Sequence, residues 1–286
     1  MKYTIKDFKK DFPDDKSCLA HIFKNRYPKG LECPKCQKRD FYPVEGRRSY
    51  ACSCGYQIYP TEGTIFHKSP TSLVSWFHAI FLMSQSKNGV AAKELERQLG
   101  VTYKCAWRIG NQIRKLMQGS ADPLSGVVEI DDTYIGGQKK IKVRKGYWTA
   151  QGKSIVFGSV ERKGRIKVKV VPNRKLRTIK PIVNGDIVPG SKVMTDDFAT
   201  YRKIGSMGYE HEMVDHVHGE YVRGQAYTNT IEGFWSQMKR SFNGTFHHVS
   251  PKHLQAYADE FAFRYDHRQD SVPLPLTMFS RVGKPA

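Results

Sequence analysis

Four cysteines in two close pairs set the first constraint on this chain. Cys33-Pro34-Lys35-Cys36 and Cys52-Ser53-Cys54 lie in a stretch of Gly, Pro and short β-like pieces with little apolar sequence to make a core. A unit of that size is stabilised by tying its turns together, and two thiolate pairs on adjacent turns can close a tetrahedral zinc site. The first pair has the usual two intervening residues. The second has one, and His67 is an available substitute ligand. Cys18 and Cys105 stand alone and read as core residues. The most apolar run, Leu73 to Met83, is too short to span a bilayer and is broken by Ser75 and His78, and Met1 to Phe12 lacks an export-signal pattern. The expected location is the cytoplasm, in association with the nucleoid, where thiols stay reduced and cysteines serve metals and cores before disulfides.

Charge narrows the partner. The 286 residues carry 47 Lys and Arg against 27 Asp and Glu, a formal net charge of +20. Basic stretches recur at Lys139–Lys145, Arg162–Lys169 and Arg174–Lys180. Phosphate neutralisation and counterion release favour such a surface, so the expected partner is double-stranded DNA.

The length accommodates two or three units. Residues 1–68 read as a helical lead-in followed by the cysteine-bearing ribbon. Residues 69–120 carry a helical pattern. A joint at Gly119–Gly126, rich in Gly, Ser, Asp and Pro, leads into a third domain over 121–286, where β-like alternation in Val128–Asp132 and Arg165–Val171 mixes with helical patterns near Ile179–Val183, Thr230–Phe242 and Lys252–Tyr265. The expected fold class is therefore α/β for that part.

Within 69–120 the spacing predicts a helix-turn-helix. Ala92, Leu95 and Leu99 form the inner stripe of a first helix, Gly100 permits a tight turn, and Thr102 caps a second helix. That second helix turns Cys105, Ala106 and Ile109 inward. Tyr103, Lys104 and Arg108 are its candidate DNA-binding residues, facing the major groove.

The carboxylates suggest chemistry. Alternation along Val128–Thr133 puts Glu129, Asp131 and Thr133 on one strand face and Val128, Ile130 and Asp132 on the other. Asp196 ends the strand-like run Lys192–Asp196. Between Asn229 and Phe242, an apolar stripe of Ile231, Phe234, Trp235, Met238 and Phe242 leaves Asn229, Glu232, Ser236 and Lys239 on a separate polar face. Converging carboxylates bind magnesium or manganese through hard oxygen ligands and can hold two such ions for in-line attack on phosphorus. Lys239, two turns beyond Glu232, suits a phosphate. Asp132, Asp197, Asp215 and Asp266 read as surface or supporting acids, and His211, His216 and His218 as polar loop residues with a metal-assisting role as the alternative.

The combination of ribbon, Thr61–His67, Trp76-Phe77, helix-turn-helix, Glu129–Gly137, Thr195–Tyr201, Asn229–Arg240 and Glu260–Tyr265 resembles bacterial insertion-sequence DDE transposases with an N-terminal zinc ribbon, a group similar to the eukaryotic Merlin elements. The resemblance implies a ribonuclease-H-like catalytic domain. It also implies an acidic triad at Asp131, Asp196 and Glu232, with sixty-four and thirty-five residues intervening, and Lys239 separated from Glu232 by six residues. Some relatives carry asparagine in the third position, which keeps Asn229 beside Glu232 as an alternative. The activity that the resemblance implies is that of a transposase binding the terminal inverted repeats of its element and target DNA. Such a protein cleaves and joins strands with Mg2+ or Mn2+, holds Zn2+ in its ribbon, and acts as a homodimer or larger assembly on DNA. The alternative is a zinc-ribbon regulator or domesticated transposase that binds DNA without catalysis.

Overall fold

Reciprocal capping boxes start the chain's first two helices, α1 (Ile5–Asp11) and α2 (Asp15–Arg26). Thr4 pairs with Asp7 and Asp14 with Ser17, so side chains satisfy backbone N–H groups that no helical turn can reach. The computed structural model describes residues 2–136, 153–214 and 228–285, together with the backbone of 141–142 and 148–149. It contains two compact units, Met1–Met117 with Asp270–Ala286, and Gln118–Gln269.

After α2, three short antiparallel strands come in the order β1 (Phe41–Pro43), β2 (Tyr50–Cys52) and β3 (Gln57–Ile58). Helix α3 (Leu73–Gln85) begins at Ser72, whose hydroxyl accepts from the Ser75 amide, and buries Leu73, Trp76, Phe77, Ile80 and Met83 completely. Buried on most sides, it is the axis of the first unit. Helices α4 (Ala92–Leu99) and α5 (Tyr103–Lys115) then meet through Gly100, whose φ of 63° is left-handed and carries no Cβ penalty. Thr102 caps α5 by accepting from the Cys105 amide.

The joint read at Gly119–Gly126 is the first piece of the second unit. Leu124 is fully buried and exchanges backbone bonds with Asp186 and Val188. From there the chain forms β4 (Val127–Ile135), a two-stranded pair of β5 (Ile141–Lys142) and β6 (Trp148–Thr149), β7 (Ser154–Glu161), β8 (Ile166–Val171), α6 (Leu176–Asp186), β9 (Lys192–Asp196), β10 (Glu210–Val214), α7 (Asn229–Ser241) and α8 (Pro251–Asp266). The five-stranded sheet has the order β10-β9-β4-β7-β8. β4, β7 and β8 are antiparallel neighbours, whereas β9 and β10 run parallel to β4. One face packs Val128, Ile130, Phe157 and Val193 against Ile179 and Val183 of α6. The other packs Val156 and Val160 against α7 and α8 through Ile231, Trp235, Leu254 and Phe261.

The last helix, α9 (Leu274–Phe279), returns to the first unit and packs on α3. Phe279 sits among Tyr3, Phe12 and Phe77, with ring centroids 5.9, 4.9 and 5.5 Å away. Its carbonyl accepts from Asn25 Nδ2 at 2.7 Å, and Arg281 donates to the Leu116 carbonyl at 2.9 Å. The second compact unit ends at Gln269, and the residues after it belong to the first. Aromatic burial drives the return, because Phe279 completes a ring cluster that α1 and α3 leave open on that side.

Candidate active site

β4 carries the first two acids of interest, and its pleat sends them to the same face. Val128 and Ile130 face α6, so Glu129 and Asp131 face α7. β9 repeats the pattern beside it. The parallel ladder pairs Val128 with Val193 and Ile130 with Thr195, so one residue further on each strand brings Asp131 and Asp196 to the same level and the same face. Neighbouring strands lie about 4.8 Å apart, which leaves two carboxylates facing one space.

Their proximity appears in the electrostatics. Burial pushes the Asp131 carboxyl up to about 7, and the charges of Asp196 and Asp132 push in the same direction. Trp235 Nε1 donates to Asp131 Oδ2 at 3.0 Å and opposes that shift. The Asp196 carboxylate also accepts from the Phe198 amide at 3.2 Å, which turns the chain away from the strand end.

Helix α7 carries the polar face read from the sequence. Asn229, Glu232, Ser236 and Lys239 are all exposed, while Ile231, Trp235 and Met238 are buried, so the polar face read from the sequence is the solvent face. Glu232 precedes Trp235 by three residues, about 4.5 Å along the axis and about 60° around it. Asn229 is twice as far along. Thr228 donates to Glu232 Oε1 at 3.0 Å.

Two of the acids set aside from the sequence are not surface groups. Asp132 has a side chain only 4% exposed; it accepts from the Tyr201 hydroxyl at 2.6 Å and sits 3.5 Å from Arg174. Burial and the neighbouring acids raise the Tyr201 phenol far above its usual range, so it remains a donor. Asp266 accepts from the Ile166 amide at 2.8 Å, and burial raises it to about 6. Asp197 is the half-buried partner of an exposed Arg202 at 2.7 Å. His211 is part of β10 and not of a loop. It pairs with Val193, and its Nε2 lies 2.9 Å from Thr195 Oγ1, on the sheet face opposite Asp196. Asp215, His216, His218 and the side chains of the stretch Lys139–Lys145 lie outside the described residues.

One participant escapes a reading of the sequence. Glu129 is fully buried, and its two oxygens take four bonds: from Arg162 Nε at 2.8 Å, Thr230 N at 2.9 Å, Thr230 Oγ1 at 2.8 Å and Ile231 N at 3.1 Å. Alternation places it beside Asp131, but nothing in one strand's pattern announces which helix end it meets.

The cysteines form a separate centre. Cys33, Cys36, Cys52 and Cys54 present sulfurs that all lie within 4.8 Å of one another, with Cys33–Cys54 at 3.5 Å and Cys36–Cys52 at 3.4 Å. A zinc bonded at about 2.3 Å places its four sulfurs about 3.8 Å apart, so the donor set fits. The single residue between Cys52 and Cys54 is accommodated because β2 ends at Cys52 and turns through Gly55 at φ 84°. His67 is occupied elsewhere, accepting from the Gly63 amide at 3.2 Å.

Residues 123–266 match the ISXO2-like transposase domain, and residues 13–57 match the transposase zinc-ribbon domain. The chain belongs to the ISXO2-like transposase family. Among curated proteins, this family member is 25% identical over 274 residues to an uncharacterized protein in transposable element ISH50 of Halobacterium salinarum, covering 89% of this chain and 92% of that one. It is also 28% identical over 110 residues to an uncharacterized transposase-like protein of Haemophilus influenzae, covering 37% and 85%. Among solved structures it is similar to a pre-cleavage Mos1 transpososome at 12% identity, covering 73% and 79%, with a TM-score of 0.28. That superposition is too distant to bear on topology.

In this transposase-family chain the three α5 residues chosen from the sequence differ in setting. Tyr103 is 47% exposed with Lys93 Nζ 5.6 Å from its ring centre, and Lys104 is exposed. Arg108 is half-buried. Its guanidinium donates to the His67 carbonyl at 3.1 Å and lies over Trp76, so it ties α5 to the loop after the ribbon instead of projecting freely. Trp107, 37% exposed, shares the outer face in its place. Among the described residues, no helix is long and apolar enough to cross a membrane.

Proposed function

We propose that this transposase binds the double-stranded DNA ends of its insertion element and catalyses metal-dependent strand cleavage and strand transfer. The observation that carries this reading is the placement of Asp131 and Asp196 at one level of neighbouring parallel strands, with α7 bonded to Asp131 one turn from Glu232. The charge of Asp196 helps raise the proton affinity of Asp131, a pairing that a cation would relieve, and the oxygen-only donor set suits magnesium or manganese. The sheet order, with three antiparallel strands continued by two parallel ones and helices on both faces, supports a ribonuclease-H-like reading of residues 118–269.

In this reading, bound divalent metal lowers the nucleophile's pKa and stabilises charge on the leaving oxygen. Asp131, Asp196 and Glu232 hold the cation. Trp235 fixes the Asp131 carboxylate by its indole bond, and Lys239, exposed two turns from Glu232, tracks a DNA phosphate. Proximity to Trp235 favours Glu232 over Asn229 as the third ligand. Recognition of the ends falls to α4 and α5, whose Gly100 turn and outer face of Tyr103 and Lys104 support the helix-turn-helix reading. Two ends handled together call for a dimer or larger assembly on DNA.

The test is a cleavage and strand-transfer assay on end-bearing DNA with magnesium. Asp131→Asn, Asp196→Asn and Glu232→Gln should each abolish both steps while leaving end binding intact, because each removes a ligand from a shared site. Full strand transfer by the Asp131 or Asp196 variant would overturn the catalytic reading and leave DNA binding alone.

A further inference from the structure

We propose that Glu129 is a positioning residue that caps the first turn of α7 from β4 and so fixes Glu232 relative to Asp131. This rests on the reading of Asp131, Asp196 and Glu232 as metal ligands.

The local sequence of α7 does not cap itself. Thr228, at the N-cap, makes no side-chain bond to the helix backbone, and its hydroxyl donates instead to Glu232. The free amides of Thr230 and Ile231 are taken up by Glu129, a hundred residues earlier in the chain, at 2.9 and 3.1 Å. The Thr230 hydroxyl adds a third bond at 2.8 Å. A carboxylate at a helix N-terminus meets both unsatisfied amides and the positive end of the helix dipole. Arg162 completes the balance with a fourth bond at 2.8 Å.

Such a group is an expensive way to fill a sheet–helix interface. A buried carboxylate gains nothing over a well-packed apolar side chain unless its bonds fix a geometry. Here the geometry has a direct use. Glu129 and Asp131 are two residues apart on one strand and one face, about 6.8 Å along it. The first holds the start of α7, and the second receives Trp235 near its middle. With both ends of that segment referenced to β4, Glu232 between them has little freedom to drift from the acidic end of the sheet.

The experiment uses the full chain and measures the magnesium concentration for half-maximal end cleavage, with end affinity in calcium and the melting temperature as companions. Glu129→Gln keeps the shape but turns an amide N–H2 toward backbone donors. It should raise the magnesium requirement tenfold or more and leave end affinity unchanged. Thr230→Val, which removes one bond and spares the charge, should move the requirement the same way by less. A merely structural role would lower the melting temperature without moving the metal requirement below it. Wild-type magnesium dependence in Glu129→Gln, with Glu232→Gln inactive, overturns the positioning role and spares the metal site. Activity in Glu232→Gln and Asp131→Asn overturns the site reading itself. If Glu129→Gln does not fold, an unchanged requirement in Thr230→Val overturns the positioning role.

Discussion

Gly158 lies directly across the strand pair from Asp131, and the absence of a side chain there is what admits the indole of Trp235. A Cβ on Gly158 would stand 2.7 Å from Trp235 Cη2 and 3.2 Å from Ile231 Cδ1. The space that one residue vacates on β7 is thus filled by the ring whose N–H bonds the carboxylate on β4.

Gly158→Ala should therefore act as an active-site variant at a distance. Overpacking of this kind costs about 1–3 kcal/mol and here would push the indole off Asp131. Trp235→Phe removes the bond together with the Cζ2 and Cη2 atoms that fill the space over Gly158. Both should reduce cleavage and lower the melting temperature, Gly158→Ala through overpacking and Trp235→Phe through the cavity it leaves. Equal and unimpaired cleavage in both variants would deny the indole bond a part in the chemistry.

Metal binding should depend on pH through Asp131. Its carboxyl is raised to about 7 in the metal-free fold, chiefly by burial, with the charge of Asp196 adding to it. Below that value a proton must leave before a cation binds, so affinity should weaken by about tenfold per pH unit and level off above it. Calorimetric titration with manganese between pH 6 and 8 checks this. The metal-free protein should respond in the opposite sense. A carboxyl raised in the folded state binds more protons than in the unfolded chain between the ordinary carboxylate range and about 7, so stability falls as pH rises through that window. Asp131→Asn should flatten both dependences.

The C-terminal segment should prove essential to the N-terminal unit. A fragment ending at Met117 lacks Phe279 and exposes the rings of Tyr3, Phe12 and Phe77. Phe279→Ala in the full chain should cost about 3–5 kcal/mol, as truncations of large buried rings do. Thermal melts of the variant and of the chain ending at Gln269 give the measurement. An N-terminal fragment that melts cooperatively at the full-chain temperature would contradict it.

Zinc should be present at one ion per chain, bound by Cys33, Cys36, Cys52 and Cys54. Elemental analysis should find it lost in a Cys33→Ser, Cys36→Ser variant, and chelation should unfold the ribbon while the β4–β9 sheet persists, because the ribbon's three short strands have little else to hold them. Full zinc content in that variant would move the site elsewhere.

Local pattern determined a good deal of this protein. The cysteine spacing announced the ribbon, the alternation of Val128–Thr133 divided Asp131 from Asp132, and the stripe of Ile231, Trp235 and Met238 sorted α7 into a buried and an open face. These are short-range consequences of a two-residue strand repeat and a 3.6-residue helix repeat, and both can be read along the chain. What tertiary structure alone decided were the pairings across long separations. Glu129 meets the amides of Thr230 and Ile231, Gly158 yields its space to Trp235, Arg108 turns back to the His67 carbonyl, and α9 abandons the second unit for the aromatic cluster around Phe77. No periodicity encodes such contacts. They arise because buried carboxylates and helix ends must find partners wherever the chain brings them, and because a ring left half-covered draws in whichever apolar segment can reach it.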